Sequence, residues 1–538
     1  MKGLKFLMAF VLAGSMLVGC GSSSDTKTFR FSSELDIQSL DSSQADDGMS
    51  FNALHAFTEG LMDVDKDGKT TTAIAKSYTK SSDGLTYTFK IRDDAKWSNG
   101  DKIVAGDFVY ACHKVIKDAG GYAYMLGDEG AGIKNADQLS ELGGKATTAQ
   151  LNTLGVKAID ESTVVFTLNQ QCPYFLDLMT FPCFYPMNQK FVEKCGSKYA
   201  TAPQYTISCG AFKLSKWTKS SKITFVKNDK FYGKEDVKLD KLEMYLAQDP
   251  KTAATNFDTG KLDYCTINSS LVDKYKNKDT YTKFAQGYIF YLSLNFKNKY
   301  LANKNIRAAL SYAIDRSSLC SDVLKDGSKE ANGLVDSGLC YSPSGVDFRK
   351  QSGDFTTYNL KKAQDYFDKG LKELGVSSIN LRLMYGTDES PMDTEAQYLQ
   401  GAFSKIKGLK ISMVATIKNV RVHTKQAKGD YDISCTRWGP DYADPTTFLN
   451  LLLTGNINNY GKYSNAAYDA LIKKAQKATD TTTRWNDLVQ AEQIAMKDYG
   501  YIPVFEKGGS ALQKTNVSGL VYKVAVGSAY TFTYVEKK

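Results

Sequence analysis

Residues 288–319 read "YIFYLSLNFKNKYLANKNIRAALSYAIDRSSL". The first nine, "YIFYLSLNF", are dense in aromatic and aliphatic side chains and predict a strand. From Asn303 onward the apolar period changes, and Ile306, Leu310 and Ala313 fall on one helical face. The same alternation of elements runs along the whole chain. In "YTKSSDGLTYTFKI" (78–91), Asp83-Gly84 marks a turn, and Leu85, Tyr87, Phe89 and Ile91 then alternate with the period of a half-buried strand. "STVVFTL" (162–168) and "KITFVKN" (222–228) predict further strands. Helical periodicity marks "AGDFVYACHKVI" (105–116), "NLKKAQDYFDKGLKEL" (359–374), "AYDALIKKAQKA" (467–478) and "RWNDLVQAEQIAMKDY" (484–499). Strands interleaved with helices in this way point to α/β lobes.

At 538 residues the chain exceeds what one core usually organises, so two or more lobes are expected. No short repeat and no Gly/Pro-rich linker separates them. Lobes without linkers are commonly joined by strands that pass from one to the other, and 288–296 is the candidate crossing strand.

The N-terminus, "MKGLKFLMAFVLAGSMLVGC", sets two lysines before an apolar run too short to span a bilayer comfortably, as in a signal peptide. "LVGC" followed by "GSSSDTK" resembles a bacterial lipobox, which implies removal of residues 1–19, lipid attachment at Cys20 and a tether over 20–28. Loss of Lys2 and Lys5 lowers the formal charge from +9 to +7. With 68 basic and 59 acidic residues well mixed, no basic stripe suits a nucleic acid. Beyond Cys20 the cysteines number nine, an odd count with no C-x-x-C, and Cys183 with Cys195 or Cys320 with Cys340 are the candidate disulfides beside buried free thiols. His55, His113 and His423 have no metal-ligand spacing. A nucleophile elbow, an H-E-x-x-H and a P-loop are all missing, and "GDEGAGIKNAD" (127–137) lacks the third glycine of a dinucleotide site. The expectation is a protein that is not an enzyme and uses no metal or cofactor. Its 33 tyrosines and 27 phenylalanines are well suited to a binding cleft.

Several blocks together resemble the oligopeptide-binding family, the family 5 solute-binding proteins of peptide ABC importers. They are "QSLDSSQADDGMSFNALHAFTEGLMDVDKDG" (38–68), "DGLTYTFKIRDDAKWSNGDKIVAGDFVYA" (83–111), "CGAFKLSKWTKSSKITFVKNDKFY" (209–232), "KNIRAALSYAIDR" (304–316), "WGPDYADPTTFLNLL" (438–452) and "YIPVF" (501–505). Their order and spacing cover nearly all of the chain after residue 20. The resemblance implies a two-lobe periplasmic-binding-protein-like fold (type II, cluster C) with a hinge and an inserted subdomain. It divides the chain into a first lobe from 29–73, 206–289 and 509–538, an insert from 74–205, and a second lobe from 290–508. It also implies a monomer held on the outer face of a Gram-positive-type membrane by its lipid, delivering oligopeptides to a permease and ATPase complex.

The resemblance places the acid that pairs with a peptide α-ammonium at Asp441. Trp438 and Gly439 would frame that pocket, the backbone of "ADDG" (45–48) with Asp46 and Asp47 would form the opposing edge, and Tyr122 and Tyr291 are weaker carry-overs. Asp444 is expected to cap the helix that follows. In "NVRVHTKQAKGDYDISCTRW" (419–438) the groups that hold a ligand carboxylate in some members are out of register: Cys435 stands at one such position, while Arg421, His423, Lys425 and Arg437 lie elsewhere. The far end of the ligand is therefore left open. Relatives of this fold take dipeptides, cell-wall or signalling peptides, sugars or nickel chelates, and these stand as the alternatives.

Overall fold

The computed structural model describes residues 27–525 and 529–538. The signal peptide, Cys20 and the tether as far as Thr26 lie outside the described residues. One long mixed sheet organises the molecule. Its strands run in the order Leu409–Thr416, Ile379–Gly386, Ile433–Trp438, Tyr281–Leu294, Ile502–Gln513, Tyr264–Ile267, Thr28–Ser32, Lys241–Tyr245, Lys222–Lys227 and Phe212–Thr218. Lys329–Glu330 adds a short strand beside Ile502–Gln513.

The expected crossing strand is the centre of this sheet, and it does not cross alone. Tyr281–Leu294 pairs antiparallel with Ile502–Gln513 over nearly its whole length, 281–285 against 508–512 and then 289–292 against 502–506. Its second half also pairs with Ile433–Trp438. The ladder breaks between Ala285 and Ile289, where Gly287 takes φ +80. Two strands side by side thus serve both lobes, with a register break between them that bends the ribbon.

Beyond the break the strand faces separate cleanly. Phe290, Leu292 and Leu294 bury on one side against Ile306, Leu310 and Ala313, the same apolar helical positions picked out by their spacing. Tyr291 points to the opposite face. The helix is Lys304–Tyr312, started by Asn303, whose side chain accepts from the N–H of Asn305 at 2.9 Å and of Ile306 at 3.3 Å. It stops earlier than the periodicity to Leu319 predicts. Arg316 is buried and donates to the carbonyls of Ser311, Ile314 and Pro503, and Asp315 starts a new turn, so the chain bends there.

A second sheet, in the order Ala75–Lys80, Thr86–Ile91, Thr163–Thr167 and Val156–Asp160, belongs to the 74–205 segment. Tyr87, Phe89 and Ile91 turn inward as their alternation requires. Helix Ala105–Asp118 covers that sheet with Phe108, Cys112 and Val115, while Ala111 packs on Met187 and Val192. The nine cysteines beyond Cys20 are all unpaired. Cys320 and Cys340 sit in different apolar clusters, and Cys183 is buried while Cys195 ends helix Gln189–Cys195 half-exposed, so neither candidate disulfide forms. Burial pushes the Cys320 thiol up to about 12, which keeps it protonated and inert.

At Gly287 an alanine would be forced into positive φ, and its Cβ would also sit 2.2 Å from Val524 Cγ1. Gly287→Ala should destabilise the protein by about 1–2 kcal/mol or more, read as a lowered denaturant midpoint.

Candidate functional site

The strand Ile433–Trp438 ends beside Ile289, and the chain leaves the sheet as "GPDYADP" before the turn Thr446–Leu449. Local bonds fix this loop. The Asp441 N–H donates to Thr447 Oγ1 at 2.9 Å, and Asp444 accepts from Thr446 N at 3.0 Å and Thr446 Oγ1 at 2.7 Å. Asp444 thus bonds the first residue of the turn, although the capping position itself is Pro445. Asp444 also receives both arms of Arg484, at 2.7 and 2.9 Å, with both side chains buried. Burial alone would raise the Asp444 carboxyl, but the Arg484 guanidinium overrides it and holds the group below the usual carboxylate range.

The loop is docked onto the inserted subdomain. Tyr442 stacks on Tyr174 with centroids 4.0 Å apart and planes within 1°, and its hydroxyl donates to the Glu129 carbonyl. Asn456 adds a bond to the Glu129 carboxylate at 3.1 Å. The same face of the subdomain supplies Tyr124, whose hydroxyl donates to Asp441 Oδ2 at 2.8 Å.

Asp441 is only 8% exposed, and no ion pair among the described residues includes it. Burial raises its carboxyl to about 7, with the Tyr124 bond pulling the other way. Three residues apart, two buried aspartates therefore meet opposite conditions: Asp444 has its cation, and Asp441 has one phenol. A buried carboxylate in that state is a receptor for a positively charged donor.

Around it stand several of the expected residues. Tyr122 packs with Tyr124 at 5.8 Å, Phe181 at 4.7 Å and Phe51 at 5.4 Å. Burial first, then the Asp441 carboxylate, Tyr288 and Asp46, push the Tyr122 phenol far up, as befits groups that share one space. Asp46 is exposed, with its Cβ lying under Gly121. Trp438 is half-buried, and its indole Nε1 is buried without a partner.

Other expectations need correction. Asp47 is the cap of helix Gly48–Phe57: Oδ1 accepts from Met49 N and Ser50 N, both at 2.9 Å, and Oδ2 from Ser50 Oγ. Its side chain is committed to that helix and is not a ligand-facing acid. Gly439 does allow a close approach, but by Tyr288, whose ring would lie 2.5 Å from any Cβ there. Tyr291 stacks on Tyr501 at 3.8 Å and lines a separate cavity of about 280 Å³ with Ser293, Asn458 and Tyr460.

Of the basic groups considered for the far end of a ligand, Arg421 is buried on Glu389, Lys425 pairs with Asp430, and His423 is exposed. Arg437 shares Glu389 at 3.2 Å and lies over the Tyr288 ring at 4.6 Å. Tyr124, Tyr288 and Arg484 were not singled out from the sequence. Tyr124 was the most accessible of these, since "GGYAYM" offers two tyrosines and only the turn Ala123–Leu126 decides which one reaches Asp441. Among the described residues no three or more His, Cys, Asp or Glu converge to hold a metal, and no helix is long and apolar enough to cross a membrane.

The family model for bacterial extracellular solute-binding proteins, family 5, matches residues 69–460. A dipeptide-binding protein of Lactococcus lactis subsp. cremoris is 33% identical, over 98% of this chain and 97% of the relative. Among solved structures, the substrate-binding domain of an oligopeptide ABC transporter from Bacillus anthracis superposes with TM-score 0.81 at 32% identity, covering 96% of this chain and 99% of the other. Listeria monocytogenes OppA bound to peptide gives TM-score 0.80 at 34% identity, covering 96% of this chain and 100% of the other.

Tyr124→Phe removes the one hydrogen bond that favours the charged form of Asp441. The Asp441 pKa should then rise further above about 7, which carboxyl NMR titration of the variant reads directly.

Proposed function

The chain belongs to the bacterial extracellular solute-binding proteins of family 5, and from that premise we propose that it captures peptides between its lobes and hands them to an ABC importer. The observation that carries the reading is the buried Asp441 carboxylate, which among the described residues has Tyr124 as its only side-chain donor and no cation paired with it. A peptide α-ammonium supplies the missing charge and up to three donors. Peptides also share backbone amides, which can pair with the edges near 45–48 and 438–440 whatever the side chains are. Trp438 gives an aromatic wall, and its free indole N–H is a further donor. Asp46 and Tyr122 face the same space, and Tyr291 lies further along the sheet.

The resemblance to the Lactococcus and Listeria proteins, one named for dipeptides and one solved with a peptide, supports this ligand class. The proposed division is 29–73, 206–289 and 509–538 for the first lobe, 74–205 for the insert and 290–508 for the second lobe. The work is binding, with no bond made or broken. Cys20 would carry the lipid that holds the monomer at the outer membrane face, where the permease and ATPase complex receives the ligand.

Calorimetry tests the site. Removing a partner from a buried hydrogen-bonded charge pair costs about 2–5 kcal/mol, so N-acetylation of the peptide or Asp441→Ala should weaken binding roughly 30-fold to a few thousandfold; equal affinity for free and acetylated peptide would refute the ammonium role. The complex needs ionised Asp441, whereas the empty site holds its proton up to about pH 7. Binding below that value must expel the proton. Affinity should therefore be greatest near about pH 7–8: it falls with acid by up to about tenfold per unit as Asp441 must give up its proton, a limb that Asp441→Asn abolishes, and it falls again above about pH 8 as the peptide α-amino group, ordinarily at about 7.7–8.0, loses its charge. Mass spectrometry of the membrane fraction should find acyl chains on Cys20.

A further inference from the structure

A second acidic cavity lies away from the Asp441 loop, where the segment 59–72, the loop after strand Lys222–Lys227 and the C-terminal tail meet. It encloses about 360 Å³, its mouth included, and is lined by Glu59, Asp63, Thr71, Tyr232, Asp236 and Tyr534. Glu59 is 6% exposed, and its Oε2 is buried with no hydrogen-bond partner. Asp63 is half-buried and uses Oδ1 to accept from Val64 N at 2.8 Å. Asp236 sits exposed at the rim.

The charges near the cavity are unbalanced. The Tyr534 phenol is pushed up to about 12, by burial first and then by the carboxylates of Asp63, Glu59, Asp236 and Asp65. Two cations act on the pair from a distance, Arg92 on Glu59 and Lys523 on Asp63, and both have nearer partners elsewhere. Arg92 rests on the outer Tyr232 ring at 4.0 Å and pairs with Asp94 at 3.2 Å. Lys523 donates to Thr180 at 3.0 Å and faces Asp177. None of the four carboxylates has an ion-pair partner among the described residues. Burial first and then the neighbouring Asp63 drive the Glu59 carboxyl far up, with the Tyr232 hydroxyl and Arg92 pulling the other way, and burial raises Asp63 to about 6 against the Val64 N–H and Lys523.

We propose that this cavity is a binding site for an aliphatic primary ammonium, with Glu59 Oε2 and Asp63 as its acceptors and Tyr232 and Tyr534 covering the alkyl chain. The donor set decides against a metal, because no three carboxylate, imidazole or thiolate groups converge here. An ammonium needs fewer charged ligands, since its three N–H groups can be met by two carboxylates and a hydroxyl such as that of Thr71. Aromatic faces suit both the methylene chain and the charge.

The probe is butane-1,4-diamine, titrated into the full mature protein by calorimetry, with butane-1,4-diol and magnesium chloride as the neutral and divalent comparisons. Saturable diamine binding, at least tenfold weaker in Asp63→Asn and in Glu59→Gln, with peptide affinity changed less than twofold, is the expected result. The diol should not bind, and magnesium at matched ionic strength should not displace the diamine. Glu59 is buried and its variant can lose stability, so Asp63→Asn, at a half-exposed position, carries the decision. The proposal is overturned by any of four results: no saturable diamine binding, equal affinity in Asp63→Asn, equal binding of the diol, or competition between diamine and peptide, which would place the diamine at Asp441.

Discussion

Two antiparallel strands that belong to both lobes impose the constraint on which the rest of this structure depends. Tyr281–Leu294 and Ile502–Gln513 share a backbone ladder from one end to the other, so neither lobe can leave without stripping main-chain bonds from both. The lobes can still tilt, because the ladder is interrupted between Ala285 and Ile289 and its register shifts again between Phe290 and Tyr291. Every cleft residue is placed relative to that break. Trp438 pairs with Ile289 just beyond it, Tyr288 precedes it and covers Gly439, and the Asp441 loop springs from the strand end it supports.

The loop itself shows how one short segment handles two buried acids. Asp444 is neutralised by Arg484 from helix Thr481–Lys497, and a fully enclosed pair of that kind is costly to break because the surviving charge would be stranded. This pair serves as scaffold: it anchors the loop to helix Thr481–Lys497. Asp441 is enclosed by a different body, the inserted subdomain, through Tyr124. Its burial therefore depends on the subdomain and the loop being together, whereas the burial of Asp444 depends on its own lobe.

Much of this was legible in the sequence, for local reasons. The apolar face of 303–313, the alternation after Asp83-Gly84 and the helices read at 359–374 and 467–478 rest on periodicity, which neighbouring residues determine. The second crossing strand was seen only as "YIPVF", because its partners lie more than 200 residues away in sequence. The split of 303–319 into separate turns follows from Arg316 reaching Pro503, a contact no local pattern encodes. At the site, the acid was found through its motif, while the phenol that bonds to it was missed. Tyr122 and Tyr124 are two residues apart in one turn, and the choice between them is made by where a loop more than 300 residues later happens to dock. Asp47 shows the opposite case: its side-chain cap, with Ser50 three residues on, was readable locally and was passed over in favour of the analogy.

The enclosure of Asp441 gives the ligand a role in closure itself. With the subdomain docked through Tyr174, Tyr442 and Glu129, a carboxylate that would prefer water is held where burial lifts its pKa to about 7. An empty closed site must then either keep a proton there or hold an unbalanced charge, and both weaken closure near neutral pH. A ligand bearing an ammonium removes that penalty only when the lobes are together, so its differential affinity favours the closed form over the open one. A ligand without the charge can fill the same space and leave the penalty in place. On the proposed reading, selectivity for a charged amino terminus and a bias toward closure are two consequences of leaving this one acid without a cation.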